Sequence, residues 1–90
     1  MNKAELVSAM AAESGLSRSD CKKALDAFVS TVAETLEAGE KVSLTGFGTF
    51  MVTQRKERPG VNLSTQEKII IPAKNVVKFR PGTDLAEVVQ

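Results

Sequence analysis

The strongest constraint on this chain is an apolar stripe along one long predicted helix. Its residues follow one another at spacings of three or four positions: Cys21, Leu25, Phe28, Val32 and Leu36. Such spacing keeps them on one face of an α-helix over several turns. The helix predicted before it, between Asn2 and Gly15, is too short to cover a face of that length. We therefore expect part of the stripe to pack against another chain.

A chain of 90 residues has few other ways to stabilise its fold. Small domains usually add disulfides, a structural metal or a partner chain to a core that is marginal alone. The single cysteine, Cys21, cannot form an internal disulfide, and the absence of histidine excludes a Cys₂His₂ zinc site. Oligomerisation is the route that remains.

The same composition argues against catalysis. Histidine, the commonest general acid–base, is missing, and the chain has no Ser/His or Cys/His pair and no glycine-rich phosphate loop. The carboxylates are scattered along helix-like segments. We expect no enzyme activity, no cofactor, no metal and no small-molecule substrate.

Capping residues and periodicity divide the chain into helices and strands. Asn2 opens a first helix that ends at Gly15, and Ser17 opens a second that ends at Gly39. Apolar residues then alternate with polar ones on both sides of a Gly-Phe-Gly turn at residues 46–48, which predicts a β-hairpin.

A third strand and a last helix complete the predicted order ααβββα, an α+β fold. Isoleucines at 69–71 are followed by Pro72, and Val77 and Phe79 then alternate with basic residues. After Pro81-Gly82, Thr83 is predicted to cap a short C-terminal helix.

Charge is concentrated in the second half of the chain. Residues 1–45 carry a net charge of −2, whereas residues 55–80 hold seven basic groups against two acidic ones, a net of +5. This asymmetry is typical of an element that binds a polyanion, although edge strands also carry lysine to prevent aggregation.

The polar stretch 54–68 interrupts this pattern. It has few core-type residues, and its turn signals, Pro59-Gly60 and Asn62, lie between strand-like segments. The pattern predicts a two-stranded ribbon that protrudes from the body, or else a long loop that folds back on it.

Several sequence blocks resemble one protein family. They are Gly-Phe-Gly-Thr-Phe at 46–50, Arg58-x-Gly60-x-Asn62, Ile71-Pro72-Ala73 and Lys78-Phe79-x-Pro81-Gly82. In this order they resemble the bacterial HU family of histone-like proteins, which includes integration host factor, and the resemblance covers essentially the whole chain.

The resemblance implies an intertwined dimer, with an identical or a paralogous partner, whose protruding β-arms embrace double-stranded DNA through the minor groove and bend it. It implies one domain, with a helical dimerisation part at 1–39, a sheet with a DNA-binding arm at about 53–73 within 40–82, and a C-terminal helix at 83–90. We further expect a preference for nicked or bent DNA. The expected location is the cytoplasm, in association with the nucleoid.

The resemblance also suggests roles for individual residues. The expected DNA-binding residues are Lys3, Gly46, Gly48, Arg55, Lys56, Arg58, Asn62, Lys74, Lys78 and Arg80. The expected dimer core consists of Phe28, Val32, Leu36, Leu44, Phe47, Phe50 and Phe79. For the two glycines, tight-turn geometry is an equally good explanation, and for Lys56 and Lys74 a purely solubilising role stays open.

The predicted arm tip departs from the family pattern. Val61 stands where the family has an arginine, Leu63 where it has a wedge proline, and Gln66 where it has a turn glycine. Leucine is also used to intercalate between base pairs, so Leu63 is the expected wedge.

Three alternatives to a non-specific DNA bender make different demands on the sequence. A site-specific bender of the integration-host type would need a partner chain, and an HU-fold protein-interaction module would explain the altered tip. A helix–turn–helix fails because Arg18, Lys22 and Lys23 cluster at one end of the second helix, whereas its apolar stripe runs the full length.

Overall fold

The computed structural model describes residues 1–62 and 64–90 and has the α+β organisation expected from the sequence. In chain order, the elements are α1 (Lys3–Ser14), α2 (Arg18–Glu37), β1 (Val42–Leu44), β2 (Gly48–Arg55), β3 (Arg58–Val61), β4 (Lys68–Ile71), β5 (Lys74–Pro81) and α3 (Thr83–Val88). The described chain forms two compact units, residues 1–34 and residues 35–90.

The first unit contains α1 and most of α2, and both predicted N-caps are confirmed. The Oδ1 atom of Asn2 accepts a hydrogen bond from the Glu5 amide at 2.9 Å, and Ser17 Oγ accepts one from the Asp20 amide at 3.1 Å. These bonds satisfy amides that a helix start leaves without partners. Between the helices, Gly15 takes a left-handed conformation, with φ at 76°.

The second unit contains a three-stranded antiparallel sheet in the order β1-β2-β5 and a separate two-stranded ribbon of β3 and β4. The three predicted strands thus become five, because the two long ones are each interrupted. Residues 56–57 and 72–73 face one another between the paired segments and are not part of either ladder. Pro72 has no amide hydrogen to donate to a ladder, which explains the interruption there.

The C-terminal helix starts differently from the prediction. Gly82, rather than Thr83, is the N-cap residue, and no side chain caps the helix. The amide of Gly82 donates to the Phe47 carbonyl at 2.9 Å, which holds Gly82 in an extended conformation. The Gly82 carbonyl accepts the first helical hydrogen bond, from the Ala86 amide, so Thr83 lies inside the first helical turn.

Gly48 lies where two strands approach too closely for any other residue. It is buried, and a Cβ atom added there would lie 2.5 Å from Phe79 Cζ and 2.6 Å from the Arg80 carbonyl oxygen. At Gly15, by contrast, an added Cβ would meet no atom within 4 Å.

Gly48→Ala is therefore expected to lower the free energy of unfolding by about 3 kcal/mol, because the Phe79 ring and the β5 backbone must both move. Gly15→Ala is the control. It adds only the cost of a left-handed alanine, about 1 kcal/mol. Urea unfolding at one fixed protein concentration measures both, and equal losses would contradict a collision at Gly48.

Candidate nucleic-acid interface

The pairing of β2 with β5 gathers four of the predicted DNA-binding cations on one side of the sheet. Thr49 pairs with Arg80, Met51 with Lys78, Thr53 with Val76 and Arg55 with Lys74. Residues directly opposite in an antiparallel pair share a face, and every second residue along a strand returns to it. We call this side, formed by residues 49, 51, 53 and 55 of β2 and 74, 76, 78 and 80 of β5, the basic face.

All four cations of the basic face are exposed. Cations two positions apart on one strand are separated by about 6.6 Å along it, so they form a row rather than a point charge. Thr49 and Thr53 add hydroxyl groups between them, and Thr49 Oγ1 donates to Ser43 Oγ at 3.4 Å. No local sequence pattern marks these two threonines, because only the register shows which strand residues accompany the cations.

We call the other side of the same sheet, formed by residues 48, 50, 52 and 54 of β2 and 75, 77, 79 and 81 of β5, the aromatic face. It holds or adjoins most of the predicted core aromatics. Phe50 pairs directly with Phe79, and their ring centroids lie 4.8 Å apart. Phe47, from the turn before β2, reaches the Phe79 ring at 5.4 Å. Tilted ring pairs at these distances are stabilising. Even so, Phe47 is 45% exposed and Phe79 39% exposed in the single chain.

The remaining predicted core residues differ in burial. Leu36 is buried, Val32 and Leu44 are half-buried, and Phe28 is 40% exposed. Among the described residues, the buried apolar side chains are Val7, Cys21 and Leu36.

The predicted ribbon is present, and we call β3, β4 and the connecting residues 62–67 the arm. Arg58 pairs with Ile71 and Gly60 with Ile69, which places these four on one face of the arm. Lys56 lies in the interruption between β2 and β3, outside both ladders. Gly46 lies in the turn between β1 and β2, where the Phe47 amide donates to the Leu44 carbonyl at 2.9 Å.

Asn62 shapes the turn of the arm. Its Oδ1 atom accepts from the Ser64 amide at 2.9 Å, its backbone amide donates to the Glu67 carbonyl at 2.8 Å, and its carbonyl accepts from the Gln66 amide at 2.6 Å. Gln66 takes the left-handed conformation, with φ at 59°, at the position where the family resemblance leads us to expect glycine. The expected wedge residue, Leu63, lies outside the described residues.

Lys3 belongs to the first unit and makes an ion pair there. Its Nζ lies 2.5 Å from Asp26 Oδ1, with both side chains well exposed. Lys3, Arg18 and Lys22 also line a cleft of about 650 Å³ between α1 and α2, together with Ala4, Val7, Ser8 and Ser19. The sequence alone placed Arg18 and Lys22 at the same end of α2, whereas Lys3 joins them only through the packing of the two helices.

Two negative findings apply to the described residues. No group of three or more cysteine, aspartate and glutamate side chains in residues 1–62 and 64–90 is arranged to hold a metal ion. Within the same ranges, no helix is both long and apolar enough to cross a membrane.

Comparison with known proteins identifies the family to which this chain belongs. The profile of the family described as bacterial DNA-binding protein matches residues 1–90. The DNA-binding protein HU of Xylella fastidiosa is 47% identical over 90 residues, covering 100% of this chain and 96% of the relative. HU of Geobacillus stearothermophilus is also 47% identical over 90 residues, with 100% of both proteins covered. The chain belongs to the HU family of bacterial DNA-binding proteins.

Solved HU structures share the fold. HU of Anabaena, solved as a co-crystal with DNA, superposes with a TM-score of 0.93 at 40% identity, covering 99% of this chain and 97% of that one. HU of Thermotoga maritima superposes with a TM-score of 0.70 at 32% identity over the full length of both. The HU family consists of DNA-binding proteins that are not enzymes, which confirms the expectation of no enzyme activity.

The ion pair in the first unit of this HU-family chain predicts a pH effect. The pKa of Asp26 lies below its ordinary value of 3.8, chiefly because Lys3 donates a hydrogen bond to it, with desolvation opposing and the charges of Lys3 and Lys22 assisting. A carboxyl whose pKa is lower in the folded state than in the unfolded state stabilises the fold at pH values above its unfolded-state pKa. This contribution is lost as the pH falls through its folded-state pKa.

Asp26→Asn is therefore expected to lower Tm slightly at neutral pH, since exposed ion pairs contribute little, and to match wild type at about pH 2. Glu34→Gln is the control, since this exposed carboxylate of α2 has no ion pair in the described part of the chain. Thermal melts between these pH values test the prediction, which fails if the Asp26→Asn difference does not change with pH.

Proposed function

We propose that this protein is an architectural DNA-binding protein that acts as a dimer, clamps duplex DNA in the minor groove with its two arms, and bends it with little sequence preference. Such an activity would compact or remodel nucleoid DNA. The observation that carries the proposal is the basic face, where Arg55, Lys74, Lys78 and Arg80 are exposed together opposite an aromatic face.

The row of cations suits the DNA backbone. Neutralising phosphates with lysine and arginine releases condensed counterions, which supplies most of the affinity of non-specific binding. The threonine hydroxyls between the cations are additional donors of the kind that proteins use to contact phosphates and sugars. None of these contacts distinguishes one base pair from another. This composition supports binding with little sequence preference.

The arm suits the minor groove. Arg58 has a weakly hydrated, planar guanidinium that fits the narrow, electronegative groove better than the ammonium of lysine does. In the first unit, we propose that Lys3, Arg18 and Lys22 contact flanking phosphates, since all three line one cleft. Because DNA that is already nicked or bent costs less to deform, we also propose that such DNA is preferred.

Dimerisation is supported by the small core of the single chain. Three buried apolar side chains among the described residues cannot offset the conformational entropy of folding 90 residues. Phe47, Phe79 and Val77 remain exposed on or beside the aromatic face, where a second copy would remove them from water. We propose that both units belong to one domain, with residues 1–39 forming the dimerisation part, 40–82 the sheet and arm, and 83–90 the C-terminal segment.

Fluorescence anisotropy with a nicked duplex of about 30 base pairs tests the proposal, since several phosphate contacts predict an affinity loss of about 1,000-fold between 50 and 200 mM salt. The saturated complex should contain two protein chains per duplex. Binding that hardly changes with salt, or a complex with one chain, would contradict the clamp or the dimer respectively.

Arg80→Ala tests the basic face itself. Losing one phosphate contact in each protomer should reduce the slope of log affinity against log salt by about 2. Lys41→Ala is the matched control, since Lys41 is exposed and precedes β1, outside the basic face. It removes the same charge and should leave most of the slope unchanged. Equal effects of the two variants would show that only net charge matters.

Leu63→Ala tests the wedge that the family resemblance suggests. A shorter side chain cannot hold a base step open, so the bend angle measured by energy transfer between end-labelled duplex termini should decrease, while affinity falls only modestly. Val61→Ala, a change to a β3 side chain that is 57% exposed, should leave the bend unchanged. A Leu63→Ala protein that bends DNA as well as wild type would exclude the wedge.

A further inference from the structure

The turn of the arm holds one side-chain amide in a fixed orientation. The Ser64 backbone N–H can only donate, so the atom of Asn62 that receives it at 2.9 Å must be the amide oxygen. The NH₂ group is therefore the other branch of the same amide. The backbone amide of Asn62 donates a hydrogen bond to the Glu67 carbonyl and its carbonyl accepts one from the Gln66 amide, which keeps the residue in place.

The NH₂ group of Asn62 is available to a ligand. Asn62 is exposed, and its Nδ2 atom forms no hydrogen bond to another side chain or carbonyl in residues 1–62 and 64–90. An asparagine side chain ordinarily offers both donors and an acceptor, and it can turn over to suit either partner. Here the bond from the Ser64 amide holds the oxygen branch in the turn, so the NH₂ branch stays a donor and the amide cannot turn over to put an acceptor in its place.

A donor held in a fixed orientation distinguishes base pairs in the minor groove. A·T and T·A pairs present only acceptors there, adenine N3 and thymine O2, whereas a G·C pair adds the N2 amino group of guanine, which is a donor. A donor from the protein would be complementary to A·T and would face a second donor at G·C. Gln66, the other amide of the turn, has no hydrogen bond from its side chain to a described residue, so it can present either end and does not discriminate.

We propose that Asn62 gives the arm a preference for A·T over G·C base pairs in the minor groove. This inference rests on the proposed minor-groove binding by the arm and adds to it a specificity-determining residue. The preference is modest and compatible with a protein that binds most DNA, because one hydrogen bond per arm is involved and the phosphate contacts do not depend on sequence.

Four nicked duplexes that differ only in the pairs flanking the nick test the inference: A·T, G·C, inosine·C and 2,6-diaminopurine·T. Inosine·C lacks the minor-groove amino group but keeps the major groove of G·C, and diaminopurine·T adds that amino group to A·T. Wild type should bind A·T and inosine·C about fivefold more tightly than the other two.

Asn62→Ser should bind all four duplexes within about twofold of one another, because a serine hydroxyl can still accept from the Ser64 amide but brings no NH₂ group. Asn62→Asp should also lose the preference while keeping an acceptor for the turn, although its charge lowers affinity for every duplex. Gln66→Gly is the control. It relieves a left-handed side chain at the same turn, leaves the Asn62 amide in place, and should keep the full preference.

The outcomes separate the two proposals. Failure of wild type to bind any of the four duplexes would overturn the proposed function and this inference together. Tight binding without a preference, or a preference that groups inosine·C with G·C, would overturn the inference alone. The same holds if Asn62→Ser and Asn62→Asp both keep the wild-type preference.

Discussion

The antiparallel pairing of β2 with β5 is the interaction on which the rest of the second unit depends. Its register places Phe50 against Phe79 on one face and Arg55 against Lys74 on the other. A slip of one residue would move the cations to the aromatic side and the aromatics to the basic side, because side chains alternate along a strand. Gly48 helps to maintain the register, since only glycine fits beside the Phe79 ring and the Arg80 carbonyl. The basic face and the aromatic face are therefore two consequences of one ladder.

The division of the sheet into two faces also explains why a small chain would need a partner. One face carries four cations and two threonine hydroxyls, with only Met51 and Val76 as apolar residues among them, and contributes little to a core. The other has large aromatics, of which Phe47 and Phe79 stay partly exposed among the described residues. Burying these rings against a second copy would provide apolar contact that neither a disulfide nor a metal site can replace in a chain with one cysteine and no histidine. DNA binding and dimerisation would then use opposite sides of the same strands.

The arm differs from the sheet in what holds it together. It is a two-stranded ribbon, and such ribbons are marginal in water unless something packs against them. Its turn is maintained by local hydrogen bonds around Asn62 rather than by a core. Gln66 occupies a left-handed position that glycine would adopt without strain, so this turn is formed at some conformational cost. In an arm of this kind, a hydrogen-bonding group can be both a structural part of the turn and a contact for the ligand.

The sequence by itself determined the order of elements, the helix caps at Asn2 and Ser17, the arm and the family, because these depend on local periodicity, capping chemistry and turn residues. It also indicated that cations concentrate between residues 55 and 80. It misplaced the start of α3, since the bond from Gly82 to Phe47 joins residues far apart in the chain. Only the tertiary structure decided that four cations share one face with Thr49 and Thr53, that Lys3 pairs with Asp26, and that the amide oxygen of Asn62 is already used. These features depend on strand register, helix packing and hydrogen-bond geometry, which bring together side chains that no local pattern connects.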